Sequence, residues 1–373
     1  MRVYTSIIFW MRTIACLSVV MIHTITTTFY KFDMPNEGYL LRIFQLLLLY
    51  ATPMFVFISE FLLAKQYKTK VKDGFFKQKL LTLGIPYIII NLGLAYVYGH
   101  PKNFEDYMDS VVFMMFHGGT LTYFIVIIFQ FYLLHIIFAK HLVKLNPIKL
   151  VIYSLIITTL FWAMRNFIPA PESIYFNWLW QREGWMIFIG WLSYFLLGFY
   201  MGYHYEKLMN HIQKYTIHIV SGTVIVTIFV VCNYLFGILT LVDSKRFDTP
   251  IYVTMVILLF FLIASYFKYV PRFIIFISNY SFSIYLIHYF FVHRLGALHD
   301  HPLLNILFTF TLTVTFSICI AYVMNLSKFG KYIVGGIGKM ALRVYPPWET
   351  ELNKTAAKTQ AWQCAYFNEI VHE

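Results

Sequence analysis

Runs of about twenty apolar residues follow one another along this chain, separated by short polar stretches, from residue 7 to residue 325. A run of that length is what a helix needs to cross the hydrocarbon core of a bilayer. Ten are expected: Ile7–Phe29, Leu40–Ala64, Leu80–Tyr98, Leu121–Ala139, Ile148–Met164, Trp185–Tyr203, Thr216–Thr240, Ile251–Phe267, Phe273–His293 and Leu303–Asn325. Outside a closed barrel, lipid leaves backbone N–H and C=O groups no partner except those within a helix. The expected fold class is therefore all-α, a polytopic membrane helix bundle. The stretch YMDSVVFMMF, Tyr107–Phe116, is too short to span and reads as an interfacial or re-entrant helix.

Composition agrees. The chain is 60 % hydrophobic, 20 % aromatic and only 12 % charged, about half the charge of an ordinary soluble domain. Its net charge of +12 needs no nucleic acid, because the cations are sorted by loop. The even-numbered loops, Arg2 and the C-terminal tail carry 20 Lys and Arg, the odd-numbered loops 8, and Arg12 lies inside the first span. That bias puts both termini in the cytoplasm. The basic stretch KQYKTKVKDGFFKQK, Lys65–Lys79, also suits anionic lipid headgroups or a phosphorylated ligand.

The first span has no small-residue cleavage site and holds an arginine, so it is expected to stay in the chain. Cys16, Cys232, Cys319 and Cys364 show neither a disulfide framework nor metal-ligand spacing. Two parts are expected, a transmembrane domain over 1–327 and a cytoplasmic tail over 328–373. Trp178, Trp180 and Trp185 suit an interfacial belt. Gly198 and Gly202 suit close helix packing rather than dimerisation.

The chemistry concentrates in RTIACLSVVMIH, Arg12–His23. Eleven residues at 100° each bring both side chains to one helix face, about 16 Å apart along the axis. An ionisable residue at membrane depth marks a functional site by default and should face the protein interior. The competing readings are that Arg12 snorkels to the headgroups and that His23 caps a buried hydrogen bond. Histidine is the side chain best placed to move a proton near neutral pH, and an arginine on the same face suits a phosphate.

Arginine, ten residues, then histidine in the first of about ten spans resembles the acyltransferase 3 family of integral membrane acyltransferases. TPMFVFISEFLLAKQY (Thr52–Tyr67), LTYFIVIIFQFYLL (Leu121–Leu134) and SFSIYLIHYFFVHRL (Ser281–Leu295) resemble that family's second, middle and late spans. IFIGWLSYFLLGFYMGYHYEKL (Ile187–Leu208) is most similar to the intercellular adhesion protein C group within it, which is tied to exopolysaccharide acylation or export. The resemblance implies transfer of an acyl group from cytoplasmic acyl-CoA, acetyl-CoA or succinyl-CoA, to a hydroxyl of a carbohydrate outside. The acceptor would be an exopolysaccharide, a cell-wall glycan or a glycolipid. A polysaccharide synthase complex is a further partner. His23 would be the catalytic base or a transient acyl carrier, with Arg12 as its partner. Glu60, in ISEF, stands where the family commonly has glycine. It needs a cation or a proton if buried, and Arg12 is the expected partner. An Arg-x-x-Arg motif carried by some members is absent, so the phosphate contacts stay unassigned.

His288, mid-span in IYLIHYF, is a further candidate for the site, against the reading of a buried histidine bonded to a neighbouring helix. His299, Asp300 and His301 in LHDHP lack a Cys or Glu partner at ligand spacing, so no metal is expected. Glu105, Asp106 and Asp109 read as a solvated face, with binding of a cationic or amino-sugar polymer as the alternative. Against the acyltransferase stand two other functions. One is an exporter of polysaccharide or lipid-linked sugar, which predicts paired broken helices, a pattern Pro53, Pro86 and Pro250 do not make. The other is a partner subunit, in which Arg12 and His23 would be dispensable.

Overall fold

The computed structural model describes residues 3–32, 38–267, 269–295 and 298–338. Residues 339–373, and with them Cys364 and most of the expected tail, lie outside the described residues. Within these limits the chain is helical, with no strand. Nine helices are long and apolar enough to cross a membrane, and a bent pair makes a tenth.

We number the principal helices α1 (Val3–Phe32), α2 (Tyr39–Leu47), α3 (Ala51–Tyr67), α4 (Ile85–Gly99), α5 (Phe104–Phe116), α6 (Phe124–Leu142), α7 (Pro147–Phe167), α8 (Leu192–Tyr203), α9 (Thr216–Leu235), α10 (Thr249–Tyr266), α11 (Arg272–Val292) and α12 (Pro302–Asn325). The expected spans are all found, with two corrections. The sixth is not one straight helix over Trp185–Tyr203. It is a pair, Tyr175–Met186 and Phe188–Tyr203, bent by 44°. Indole and amide groups pin the bend, since Trp191 Nε1 donates to Trp185 O and Trp162 Nε1 to Gly190 O, each at 2.7 Å. The seventh, α9, begins at Thr216 as expected, with the short helix Tyr205–His211 leading toward it, and ends at Leu235 rather than Thr240. The Gly237 turn, at φ +70, stops it. The stretch after the third span forms α5, capped by Asn103 Oδ1 accepting from Asp106 N at 2.8 Å. Asp106 in turn accepts from Lys102 N, so that carboxylate closes a helix start.

Helices associate in lipid through close packing and polar contacts, because the lipid is as apolar as leucine. Gly198 and Gly202 do this between α8 and α3. A Cβ at Gly202 would lie 2.5 Å from Phe61 O, and one at Gly198 2.9 Å from Phe57 O. Polar groups hold α1 along its length. Thr13 Oγ1 donates to Ile274 O at 2.7 Å, Gln45 Nε2 to Ile22 O at 2.9 Å, and Asn305 Nδ2 to Thr28 Oγ1 at 3.1 Å. The first and ninth spans are 61 % buried within the protein, while the fifth and seventh are 22 % and 17 % buried. The chemistry-bearing helices α1 and α11 therefore sit inside, packed on each other and on α12, with α1 also against α3. The segment after α12 folds back on the bundle. Gly335 O accepts from Ser283 and Asn325, and Gly338 N donates to Asn279 O.

Candidate functional site

Arg12 and His23 belong to one unbroken helix, as their spacing requires. Their surroundings differ. At the Arg12 end the neighbours are Cys16, whose thiol donates to Ser281 O, and Lys79, which feels the Arg12 charge. Lys79 lies over the rings of Phe75 and Tyr132, at 5.5 and 5.6 Å. Among the described residues neither cation has a carboxylate partner. Two such cations close enough to feel each other repel unless an anion joins them, and that is the chemistry of a phosphate site.

At the opposite end of α1 the half-buried His23 ring meets α11. Its centroid lies 5.6 Å from that of His288 and 6.4 Å from that of Tyr289, the latter edge-on. Its nitrogens have no hydrogen-bond partner among the described residues, so it does not act as a buried cap. Tyr289 continues the cluster to Tyr98 and His293, at 5.3 and 4.7 Å. His293 lies just past the end of α11.

The loops at this end bring aromatic and charged groups to it. Lys245 Nζ lies 4.1 Å from the Trp185 ring centroid and pairs with Asp243. Its charge reaches His23. Arg182 lies over Trp185 at 5.5 Å and its charge reaches Tyr289. Flat indole and phenol faces beside ionic hydrogen-bonding groups suit a sugar, which presents both C–H faces and hydroxyls. Arg246, counted from sequence as a loop charge, is instead fully buried and paired with Asp248 at 2.7 Å. Its Nη1 donates to both Leu239 O and Leu241 O, so it pins the loop.

Glu60 requires a correction. It does not pair with Arg12. Its Oε1 lies 2.6 Å from His135 Nδ1, on α6, and both side chains are fully buried. Arg12 is thereby released from that structural duty. His288 also departs from expectation. It is buried, but its Nδ1 bonds carbonyls of its own helix, Tyr285 O at 2.7 Å and Ile284 O at 3.2 Å, rather than a neighbouring one.

Sequence reasoning brought Arg12, His23 and His288 into view. It named Lys79 only within the basic stretch Lys65–Lys79, and it missed Tyr289, His293, and His135 as the partner of Glu60. The signal for His135 was available, since it is an ionisable residue in an apolar run, as Glu60 is. Nothing in the sequence marks which lysine of a basic cluster turns inward.

An acyltransferase domain model matches residues 7–324 of the chain. A shorter match, to a family described as MepB-like, covers residues 311–369. Bacillus subtilis "Putative membrane-bound acyltransferase YfiQ" is 33 % identical over 353 residues, which is 88 % of this chain and 94 % of the relative. The "Probable poly-beta-1,6-N-acetyl-D-glucosamine export protein" of Staphylococcus aureus is 27 % identical over 87 % of this chain and 94 % of its own length. The protein of that name from Staphylococcus epidermidis is 24 % identical over 87 % of this chain and 93 % of the relative. No solved structure matches.

Proposed function

The chain belongs to the acyltransferase 3 family of multi-pass bacterial membrane proteins, and from that premise we propose that it is an O-acyltransferase acting on an extracytoplasmic carbohydrate. One observation carries the reading. A single buried helix holds a cation without a carboxylate partner near one end and an open imidazole near the other. The separation suits a donor with a phosphorylated head and a long flexible arm, as acyl-CoA has.

Arg12 and Lys79 hold the phosphates of acetyl-CoA or succinyl-CoA on the cytoplasmic side. The thioester then lies toward His23. That imidazole takes the proton from the acceptor hydroxyl as its oxygen attacks the thioester carbonyl. The C–S bond breaks, and the imidazolium returns the proton to the departing thiolate, giving the ester and free CoA. Trp185, Tyr289 and Arg182 border the place where the acceptor enters, and the name of the related export proteins makes a poly-N-acetylglucosamine glycan the first acceptor to try.

The test uses membranes containing the wild-type chain or His23→Ala at equal abundance, given labelled acetyl-CoA or succinyl-CoA. Label should reach glycan with the first only, a loss of at least a hundredfold in the variant. The export reading draws on the relatives' name. It would win if neither donor labels glycan, while glycan reaches the outside only when the protein is present.

A further inference from the structure

His288 is fully enclosed, with 0 % of its surface exposed. Its Nδ1 sits between two carbonyl oxygens, which can only accept. The Nδ1 therefore carries the proton, and in the neutral ring Nε2 is a bare lone pair. That Nε2 is buried and has no hydrogen-bond partner among the described residues. A buried acceptor left unpaired is unfavourable, and where one persists it asks for a donor.

Two rings lie against His288. One is Tyr285, at 5.6 Å, whose hydroxyl is committed to Leu121 O. The other is His23, also at 5.6 Å and tilted by 38°, whose nitrogens are free. Two imidazoles joined by an N–H···N bond have centroids on the order of 5 Å apart, so a small rotation closes the gap. Bonds of this kind are often long before substrate binds. The ionisable groups that act on His23 are His288, His293 and Lys245, and none is a carboxylate. A base in such a site commonly has a second group to orient it, and His288 brings an unpaired lone pair against this ring.

We propose that His288 is a positioning residue for His23: its Nε2 accepts the N–H of the His23 ring and turns the other nitrogen toward the acceptor hydroxyl. This rests on the acyl-transfer reading. The partly accessible ring does the chemistry and the enclosed ring fixes its tautomer. Substrate does not touch His288.

The experiment measures kcat and KM for labelled acetyl-CoA and succinyl-CoA, with β-1,6-linked N-acetylglucosamine oligomers as acceptor, in vesicles of the full chain. His288→Phe keeps the volume and removes the lone pair. It should lower kcat about a hundredfold with both KM values within about twofold. His288→Gln places an amide oxygen near the position of Nε2 and should recover about tenfold of that loss. Gel filtration in detergent checks that both variants fold. Wild-type kcat in His288→Phe, or a His288→Gln variant as slow as His288→Phe, would overturn the positioning role. So would a loss that falls on KM alone. If the wild-type chain transfers no label, the acyl-transfer reading fails first, and if His23→Ala still transfers label, the role of His23 as base fails. If His23→Ala is dead and His288→Phe is normal, only the present inference fails.

Discussion

Two histidines of this protein share one local pattern and differ in everything around it. His135 on α6 and His288 on α11 are both fully buried, both bonded through Nδ1, and both left with an Nε2 that has no partner among the described residues. The Nδ1 of His135 is bonded to Glu60, a carboxyl group on another helix, and its ring lies against Phe199. The Nδ1 of His288 is bonded to its own helix, and its ring lies against a second, accessible imidazole. Removing His135 strands a buried carboxyl group. Removing His288 strands no side chain, because its carbonyl partners belong to α11 itself. The first histidine holds helices together, and the second is free to serve the chemistry. Burial and a free nitrogen do not separate these roles, but the identity of the partner does.

That contrast can be broken by experiment. The largest difference is expected from His135→Phe, which leaves Glu60 in an apolar interior without its partner. We expect a loss of roughly 3 kcal/mol of stability, read as reduced abundance and a lower midpoint of thermal aggregation in detergent. The kcat per folded molecule should stay within about twofold of wild type. A hundredfold drop in kcat at normal abundance would move His135 into the site and erase the distinction from His288.

A smaller effect is expected at the other end of α1. Arg12→Gln and Lys79→Gln should each raise KM for acyl-CoA about tenfold, near 1.4 kcal/mol, with kcat less affected. Dephospho-CoA thioesters should lose part of the difference between wild type and variants. An unchanged KM in both would remove the phosphate assignment while leaving His23 in place.

The smallest effect sharpens the nature of the Glu60–His135 contact. Glu60→Gln keeps a hydrogen-bonding oxygen beside Nδ1 and removes only the ionisable group. If the pair is held neutral, as a buried contact favours, stability should change by no more than about 1 kcal/mol. A loss as large as that of His135→Phe would mean that the pair is ionic.

The spans were legible because length and hydropathy are properties of contiguous residues. The shared face of Arg12 and His23 was legible because helical periodicity is local. The bend at the sixth span was not, since it depends on Trp162 and Trp191 reaching carbonyls 28 and 6 residues away. Glu60 was recognised as needing a partner, but Arg12 was the wrong one, because both residues lie toward the same end and sequence gives no azimuth between helices.

What the sequence by itself determined was a membrane helix bundle, the order of its spans, and one helix with an arginine and a histidine on the same face. What only the tertiary structure decided was who meets whom: Glu60 with His135, 75 residues on, and His23 with His288, on the first and ninth spans. The physical reason lies in the solvent. Lipid drives each apolar segment to become a helix but does not drive one helix against another, since it is as apolar as the faces it covers. Pairing is left to glycine-lined close approach and to single polar contacts such as Gly202 on Phe61 and Thr13 on Ile274. Those depend on the shapes of two distant segments at once.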